Sequence, residues 1–323
     1  MAVSWGIIST AHINEKFLAG AALAPDAFVV AVASRDGALA ERYAHEHGIE
    51  RAHGSYEALL ADPAVEALYI PLPNALHVEW TLRALAAGKH VLCEKPLTRH
   101  PAEVAAVFDA AERSGLHVME AFMYRHHPQT ERLAALVAGG AIGRLRMIRA
   151  QFSFLLGDPA NVRLNGALAG GALMDLGCYC VSSARLLAGE PVRVSAEQVR
   201  GGEGVDVAFA ATLRFAGDVL AHFDAGFTLA PREELEVVGD AGSLFLDDPW
   251  HCVTPVIELR RPGEATEAIA IAPANPYALE IESLCTAIRG GRPPLLGRAD
   301  ALGQARAIDA LYRAADGGIA VAL

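Results

Sequence analysis

The chain has 323 residues, of which 53% are hydrophobic and 20% are charged, and its formal net charge is −11. This length and composition suffice for about two packed domains and exclude a disordered chain. The acidic balance argues against nucleic acid or an anionic membrane as the main partner, and no uninterrupted apolar run reaches the ~18 residues of a membrane span.

The five cysteines form no C-x-x-C pair, which argues against structural zinc and against a disulfide framework. The first residues, MAVSWGII, lack the basic segment of a signal peptide. We therefore expect a cytoplasmic protein.

The first third of the chain alternates apolar strands with single amphipathic helices. The predicted strands are VSWGII, AFVVAVAS, EALYIPLPN, KHVLCEKP and LHVMEAF. Strands separated by single helices require right-handed parallel crossovers, so residues 1–122 are predicted to form a doubly wound parallel α/β sheet.

The remainder, residues 123–323, is predicted to be an α+β domain with a large, mostly antiparallel open sheet. A linking helix is followed by the strand-like segments RLRMIRAQFSF, DVAFAATLRF, GDVLAHFDAGF, EELEVVGDAGSLFLD and PVIELRR. One long apolar helix, GALAGGALMDLGCYCVSSARLLAG, lies among them, and two helices end the chain.

The turn after the first strand occupies the place of a dinucleotide's pyrophosphate site. In place of the glycines of G-x-G-x-x-G it has Ser9, Ala11 and Asn14. Small side chains still permit close backbone approach, and a helix N-terminus offers N–H groups to an anion. Taken alone, the turn is weak evidence for a nucleotide site, because a plain strand-to-helix connection has the same pattern.

The second strand ends in Ser34 and Arg35, where recognition of the adenosine ribose belongs. These side chains can bind a 2′-phosphate, which favours NADP over NAD. Asp36 keeps NAD possible.

Two positions are candidates for proton transfer. Lys95 ends a buried strand at the carboxyl edge of the predicted sheet, although an isolated lysine there is also compatible with simple solvation. Asp175 and Tyr179 lie four residues apart on the apolar helix and project from one face, where a carboxylate needs a partner.

These residues resemble the glucose–fructose oxidoreductase/inositol dehydrogenase (Gfo/Idh/MocA) family. The resemblance is carried by WGIISTAHI, ASRD, IPLPNALH, CEKPLT, EAFMYRHHPQ and NVRLNGALAGGALMDLGCYC, which span residues 5 to about 185. Tyr179 stands where many members have histidine. This variant is similar to the branch with dimeric dihydrodiol dehydrogenases and NADP-dependent xylose 1-dehydrogenases.

The resemblance implies a Rossmann domain and hydride transfer between a nicotinamide and a carbinol carbon, either pyranose C1 or a trans-dihydrodiol. It implies that Lys95, Tyr179 and Asp175 are catalytic, with Tyr179 exchanging the hydroxyl proton and Lys95 lowering its pKa. The implied cofactor residues are Ser9, Thr10, Ala11, His12, Ile13, Ser34, Arg35, Pro71, Leu72, Asn74, His77, Glu94 and Lys95. The implied substrate residues are Arg125, Arg163, Asp175 and Tyr179.

Several alternatives accompany this interpretation. Asn74 and His77 are expected to contact cofactor or sugar, with Asn74 alternatively capping a helix. His45, His47 and His53 are interpreted as a solvated helix end, so no metal is assigned. A non-enzymatic NAD(P)-binding regulator of the same fold is the rival function.

The expected partners are NADP, with NAD possible, and a small sugar or diol. A homodimer or homotetramer is expected through the second sheet, because its strands place apolar residues on both faces and leave one face exposed.

Overall fold

The computed structural model describes residues 2–323 and divides into two units. Its α-helices are α1 (Asn14–Ala21), α2 (Gly37–His47), α3 (Tyr56–Leu60), α4 (His77–Ala86), α5 (Pro101–Ser114), α6 (Pro128–Ala138), α7 (Cys178–Ala188), α8 (Pro276–Ile288) and α9 (Arg298–Gly317). Its strands are β1 (Val3–Ile8), β2 (Ala27–Ala33), β3 (Arg51–His53), β4 (Ala67–Ile70), β5 (His90–Glu94), β6 (Val118–Ala121), β7 (Leu145–Leu155), β8 (Pro191–Arg200), β9 (Asp206–Phe215), β10 (Leu220–Gly226), β11 (Thr228–Gly239), β12 (Ser243–Leu246), β13 (Val256–Arg260), β14 (Glu267–Ala270) and β15 (Val321–Ala322).

The first unit contains a six-stranded sheet in the order β3-β2-β1-β4-β5-β6, and every pair is parallel. The order reverses between β1 and β4, which is the switch point where open α/β sheets bind ligands beyond the carboxyl ends of their strands. The predicted doubly wound sheet is confirmed. The short strand β3 was not predicted.

The helix α8 belongs to the first unit although it lies late in the chain. It packs on α1, where a Cβ added to Gly20 would lie 2.7 Å from the Cβ of Tyr277. Only glycine fits this close approach. The first unit therefore comprises residues up to His126 together with Asn275–Leu302, which differs from the predicted division between residues 122 and 123.

The second unit contains a nine-stranded sheet in the order β14-β13-β12-β11-β7-β10-β9-β8-β15. The pair β7 and β10 is parallel and the other pairs are antiparallel, so the predicted mostly antiparallel sheet is confirmed. A turn at residues 216–218 joins β9 to β10 as a hairpin. Strands β8, β14 and β15 were not predicted.

Side chains alternate cleanly across this sheet. In β9, Phe209 and Leu213 are buried, whereas Thr212 and Arg214 between and after them are exposed. The outer face also carries the ion pair of Arg149 with Glu236, with an Nη1–Oε2 distance of 3.0 Å. The expectation of a largely apolar exposed face was wrong. The apolar residues of these strands alternate with polar ones, and the polar residues lie on the outer face.

The segment Gly166–Ala188 is long and apolar enough to cross a membrane by length and hydropathy alone. Within the structure, 72% of its apolar window is buried, as expected for the core of a globular domain. It is also not one continuous helix. Short 3₁₀ turns at Val162–Leu164 and Gly166–Leu168 precede a π-helical turn at Leu173–Gly177, and α7 follows.

Candidate active site

The turn after β1 adopts the backbone conformation that glycine usually supplies. Ser9 has a φ of +85°, a left-handed value that side chains other than glycine rarely adopt. Its N–H donates to Ala33 O at 2.9 Å, and Asn14 Nδ2 donates to Ser9 O at 2.9 Å. Asn14 is fully buried. Its amide therefore holds Ser9 in a backbone conformation that glycine would adopt without such a hydrogen bond.

The Ser9 hydroxyl is buried and has no hydrogen-bond partner among residues 2–323. A buried hydroxyl normally finds a partner, and this one lies in the turn where a pyrophosphate belongs. The turn therefore fits a dinucleotide. Of the other predicted turn residues, His12 is exposed and the rest are partly exposed: Thr10, Ala11 and Ile13.

The end of β2 separates the roles of its three polar residues. The Asp36 carboxylate accepts from Leu39 N at 3.1 Å and caps α2. Ser34 is buried, and its Oγ accepts from Asp36 N at 3.2 Å. Arg35 is exposed, and its guanidinium opposes the burial that raises the pKa of Tyr56. Because the Asp36 carboxylate is used to cap α2, Arg35 is the exposed charged side chain at this end of β2. Its positive charge fits a 2′-phosphate.

The loop after β4 places its predicted cofactor residues differently. Pro71 and Leu72 are buried, and α4 begins at His77 without a side-chain cap, so Asn74 does not cap it. His77 is fully buried: its Nδ1 lies 2.9 Å from Pro96 O and its Nε2 lies 2.7 Å from Leu72 O. This placement differs from the prediction, in which His77 contacts cofactor or sugar.

Lys95 directly follows β5 at the carboxyl edge of the sheet, as predicted. The carboxylate of Glu94 accepts from the hydroxyl of Tyr69 at 2.6 Å. It also accepts from the backbone N–H of Lys95 at 3.3 Å. The predicted cofactor residue Glu94 therefore also fixes the backbone that carries Lys95.

A second acid lies behind Glu94 within the first unit. Glu280 on α8 is fully buried, and among residues 2–323 neither of its carboxylate oxygens has a hydrogen-bond partner. Burial, and next the charge of Glu94, raise the pKa of Glu280 well above its usual range. No pattern in the sequence distinguished it from a surface glutamate.

In the second unit, the π-helical turn is anchored by an acid from β9. Asp206 Oδ2 accepts from Leu173 N at 2.6 Å, and its Oδ1 accepts from the hydroxyl of Tyr312 at 2.8 Å. A Cβ on Gly171, which has a φ of +127°, would lie 2.3 Å from Asp206 Oδ1. Burial raises the pKa of Asp206 to about 6. Sequence reasoning missed this anchor because its partners lie far along the chain.

Asp175 lies in this π-helical turn and is paired with Arg163. Arg163 Nε donates to Asp175 Oδ2 at 2.6 Å, and the Asp175 side chain is 16% exposed. Two residues that were predicted separately to bind substrate therefore form one ion pair. The pair leaves the Arg163 side chain 41% exposed.

Tyr179 lies in the first turn of α7, is 7% exposed and contacts two aromatic side chains. Its ring centroid is 5.6 Å from that of Phe152 and 6.0 Å from that of Trp250. Trp250 Nε1 donates to Ser183 Oγ at 2.9 Å, which fixes the indole. Sequence reasoning missed Phe152 and Trp250. The only signal was an aromatic residue in the polar loop DDPWHC.

Arg125, which was predicted to bind substrate, is paired with an acid inside the first unit. Its Nη1 lies 3.3 Å from Asp300 Oδ1, and its side chain is 10% exposed. The contact of Arg125 with substrate stays a prediction.

One group of possible metal-binding atoms occurs in residues 2–323: Glu233, Asp248 and His251. The Asp248 carboxylate accepts from the N–H groups of Cys252 and Thr254, each at 2.8 Å. The Glu233 carboxylate accepts from backbone N–H groups in the same loop. These oxygens therefore hold the loop. The histidines interpreted as a solvated helix end are not part of this group, and one of them, His53, lies in β3 with its Nε2 2.9 Å from Asp62 Oδ2.

Comparison with known proteins identifies both parts of the chain. Residues 3–122 match the oxidoreductase family with an NAD-binding Rossmann fold, and residues 130–245 match the GFO/IDH/MocA C-terminal domain.

Among characterised relatives, a D-xylose 1-dehydrogenase (NADP(+)) from Haloferax volcanii is 41% identical and covers 99% of each chain. A human trans-1,2-dihydrobenzene-1,2-diol dehydrogenase is 37% identical over 80% of this chain and 78% of its own. A 3-ketoreductase from Actinomadura kijaniata, solved in complex with NADP and TDP-benzene, superposes with a TM-score of 0.92 at 32% identity, covering 97% of this chain and 98% of its own.

Proposed function

This chain belongs to the GFO/IDH/MocA family of oxidoreductases. From that membership we propose that its substrate is either a pyranose sugar, which reacts at C1, or a trans-dihydrodiol. It is an NAD(P)-dependent enzyme acting on CH–OH groups, with NADP as cofactor. The names of the xylose and dihydrodiol relatives support both substrate classes.

The observation that carries the proposal is the environment of Tyr179. Its ring is enclosed by Phe152 and Trp250, and one helical turn earlier Asp175 is held by Arg163. A flat apolar wall beside a hydroxyl and an ion pair suits a ring that carries hydroxyl groups.

The turn at Ser9 would hold the pyrophosphate of NADP, and Ser34 with Arg35 would hold its 2′-phosphate. The bound nicotinamide supplies the hydride acceptor or donor at C4. The protein's part is then to bind, to orient and to move one proton.

We assign proton exchange with the substrate hydroxyl to Tyr179. We assign to Lys95 the positive charge that favours the ionised form of the Tyr179 hydroxyl. The ion pair of Asp175 with Arg163 orients the remaining hydroxyl groups.

The test is a substrate panel. The protein is mixed with NADP⁺ or NAD⁺ and with D-xylose, D-glucose or a trans-dihydrodiol, and nicotinamide absorbance is followed. We expect turnover with at least one aldose or diol and a higher kcat/KM with NADP⁺. Binding of NADP⁺ without turnover of any panel member would contradict the proposal.

We also propose a cytoplasmic homodimer or homotetramer. The five cysteines are free and buried, as in a reducing compartment. The outer face of the second sheet contains a cavity of about 450 Å³, lined in part by Thr212, His222 and Ile319. Light scattering tests the assembly, and a particle of 34 kDa would contradict it.

A further inference from the structure

The imidazole of His77 joins two loops at the carboxyl edge of the first sheet. One ring nitrogen lies 2.9 Å from the carbonyl oxygen of Pro96, directly after Lys95. The other lies 2.7 Å from the carbonyl oxygen of Leu72, directly after β4 and Pro71. Since the side chain is fully buried, His77 reaches a ligand only through these loops.

The chemistry of these contacts is unusual. A carbonyl oxygen only accepts hydrogen bonds, and a neutral imidazole has a single N–H, so only an imidazolium satisfies both contacts. Burial, together with the positive charge of Lys95, lowers the pKa of His77, whereas the two carbonyl oxygens raise it. A charge on His77 and a charge on Lys95 therefore oppose each other.

The same turn is held from its other side. Glu120 on β6 is buried, and its Oε1 accepts from Leu97 N at 2.7 Å. His77 and Glu120 thus hold the two ends of one peptide group, the one that joins Pro96 to Leu97 directly after Lys95. The other ionisable groups at this edge are Glu94 and Cys93 at the end of β5.

We propose that His77 is a positioning residue for Lys95: it ties the turn that carries Lys95 to the loop after β4, and so sets where the lysine charge stands. The inference rests on the proposed role of Lys95 in proton transfer. It assigns to His77 a function without contact with cofactor or substrate.

The test compares His77→Phe, which removes both nitrogens, with His77→Gln, which keeps an amide donor. His90→Phe is the matched control, because His90 is a partly buried histidine at the opposite end of the strand that precedes Lys95. For each variant, kcat, KM for NADP⁺ and hydrogen exchange of the backbone amides of Glu94, Lys95 and Leu97 are measured.

We expect His77→Phe to lower kcat by about tenfold to a hundredfold, the usual cost of a misplaced catalytic group, with KM for NADP⁺ within about twofold. Exchange at the amides of Glu94, Lys95 and Leu97 becomes roughly tenfold faster, as expected for a lost buried hydrogen bond. His77→Gln recovers part of kcat.

An unchanged kcat and unchanged exchange in His77→Phe would overturn the inference, and so would equal effects in His90→Phe. A rise in KM for NADP⁺ that matches the loss of kcat would instead make His77 a cofactor-site residue. Lys95→Ala separates the two proposals: normal turnover there contradicts the proposed function, whereas an inactive Lys95→Ala beside a normal His77→Phe contradicts this inference alone.

Discussion

The two units hold their candidate catalytic side chains in different ways. In the first unit, Lys95 follows a buried parallel strand, and side chains on adjacent elements bind both ends of the next peptide group, Pro96–Leu97. In the second, Tyr179 and Asp175 lie on a helix whose first turn is π-helical and is anchored by Asp206. A sheet edge places a side chain by topology, whereas an irregular helix needs a dedicated anchor.

The largest expected effect is at the two side chains to which proton transfer is assigned. Lys95→Ala and Tyr179→Phe should each lower kcat by about 10²–10⁴, the contribution of an acid or base group, while NADPH still binds. Steady-state rates and NADPH fluorescence titration measure the two quantities. Lys16→Ala, at an exposed lysine of α1, is the control. If only one of the two variants loses kcat, the catalytic assignment belongs to one unit alone.

The second prediction concerns the first unit's cofactor edge. Arg35→Asp should weaken NADPH binding by roughly 10- to 100-fold, because charge-assisted hydrogen bonds of about 1.5–3 kcal/mol are lost, and should spare NADH. Arg42→Asp makes the same charge change on the exposed side of α2 and should spare both. Equal loss of NADPH and NADH affinity would refute recognition of the 2′-phosphate by Arg35.

The third prediction concerns the second unit's anchor. Asp206→Asn cannot accept from both Leu173 N and the Tyr312 hydroxyl, so the free energy of unfolding should fall by about 1–3 kcal/mol. We expect kcat to fall about tenfold as the π-helical turn shifts. Asp309→Asn, in an exposed ion pair on α9, is the control, and urea unfolding with kinetics is the measurement. An unchanged kcat would show that the helix positions Tyr179 without this anchor.

The pH dependence of stability sharpens that prediction. The pKa of Asp206 is raised to about 6 in the folded state, above the ordinary value. The folded state therefore binds the proton more tightly, and this contribution to stability is present below pH 4 and is lost as pH rises through about 6. The urea midpoint of the unchanged protein should therefore fall between pH 4 and pH 7. In Asp206→Asn the midpoint should fall less over the same range.

The smallest effect is expected at Glu280. Its folded pKa is raised by burial, so the protonated acid stabilises the fold at low pH and the stabilisation is lost as pH rises above the ordinary glutamate range. Glu280→Gln, which is always neutral, should leave stability unchanged near pH 4.5 and raise it by roughly 1 kcal/mol at pH 8. Glu282→Gln on the same helix is the control. Equal pH slopes in both variants would mean that Glu280 is ionised.

The sequence predicted the first unit's sheet well, because strand and helix periods are local properties of the chain. It placed Lys95 and Arg35 at strand ends for the same reason. It did not predict that His77 is buried between two carbonyl oxygens. The local sequence pattern is the same for a buried and for an exposed histidine after a strand. The anchor at Asp206 and the wall formed by Phe152 and Trp250 depend on pairings between distant strands, which no local pattern encodes.

The late position of α8 in the chain has a consequence for biosynthesis. When a ribosome has released residues 1–126, all six parallel strands of the first sheet exist, but the helix that packs against α1 at Gly20 does not. The next residue of this unit is Asn275, so nearly 150 further residues must be synthesised first. Until then the side of α1 that packs against α8 stays uncovered. We expect the nascent first unit to recruit chaperones that recognise apolar surface. Pulldown of stalled chains of 126 and 302 residues should show that the shorter one is bound more strongly.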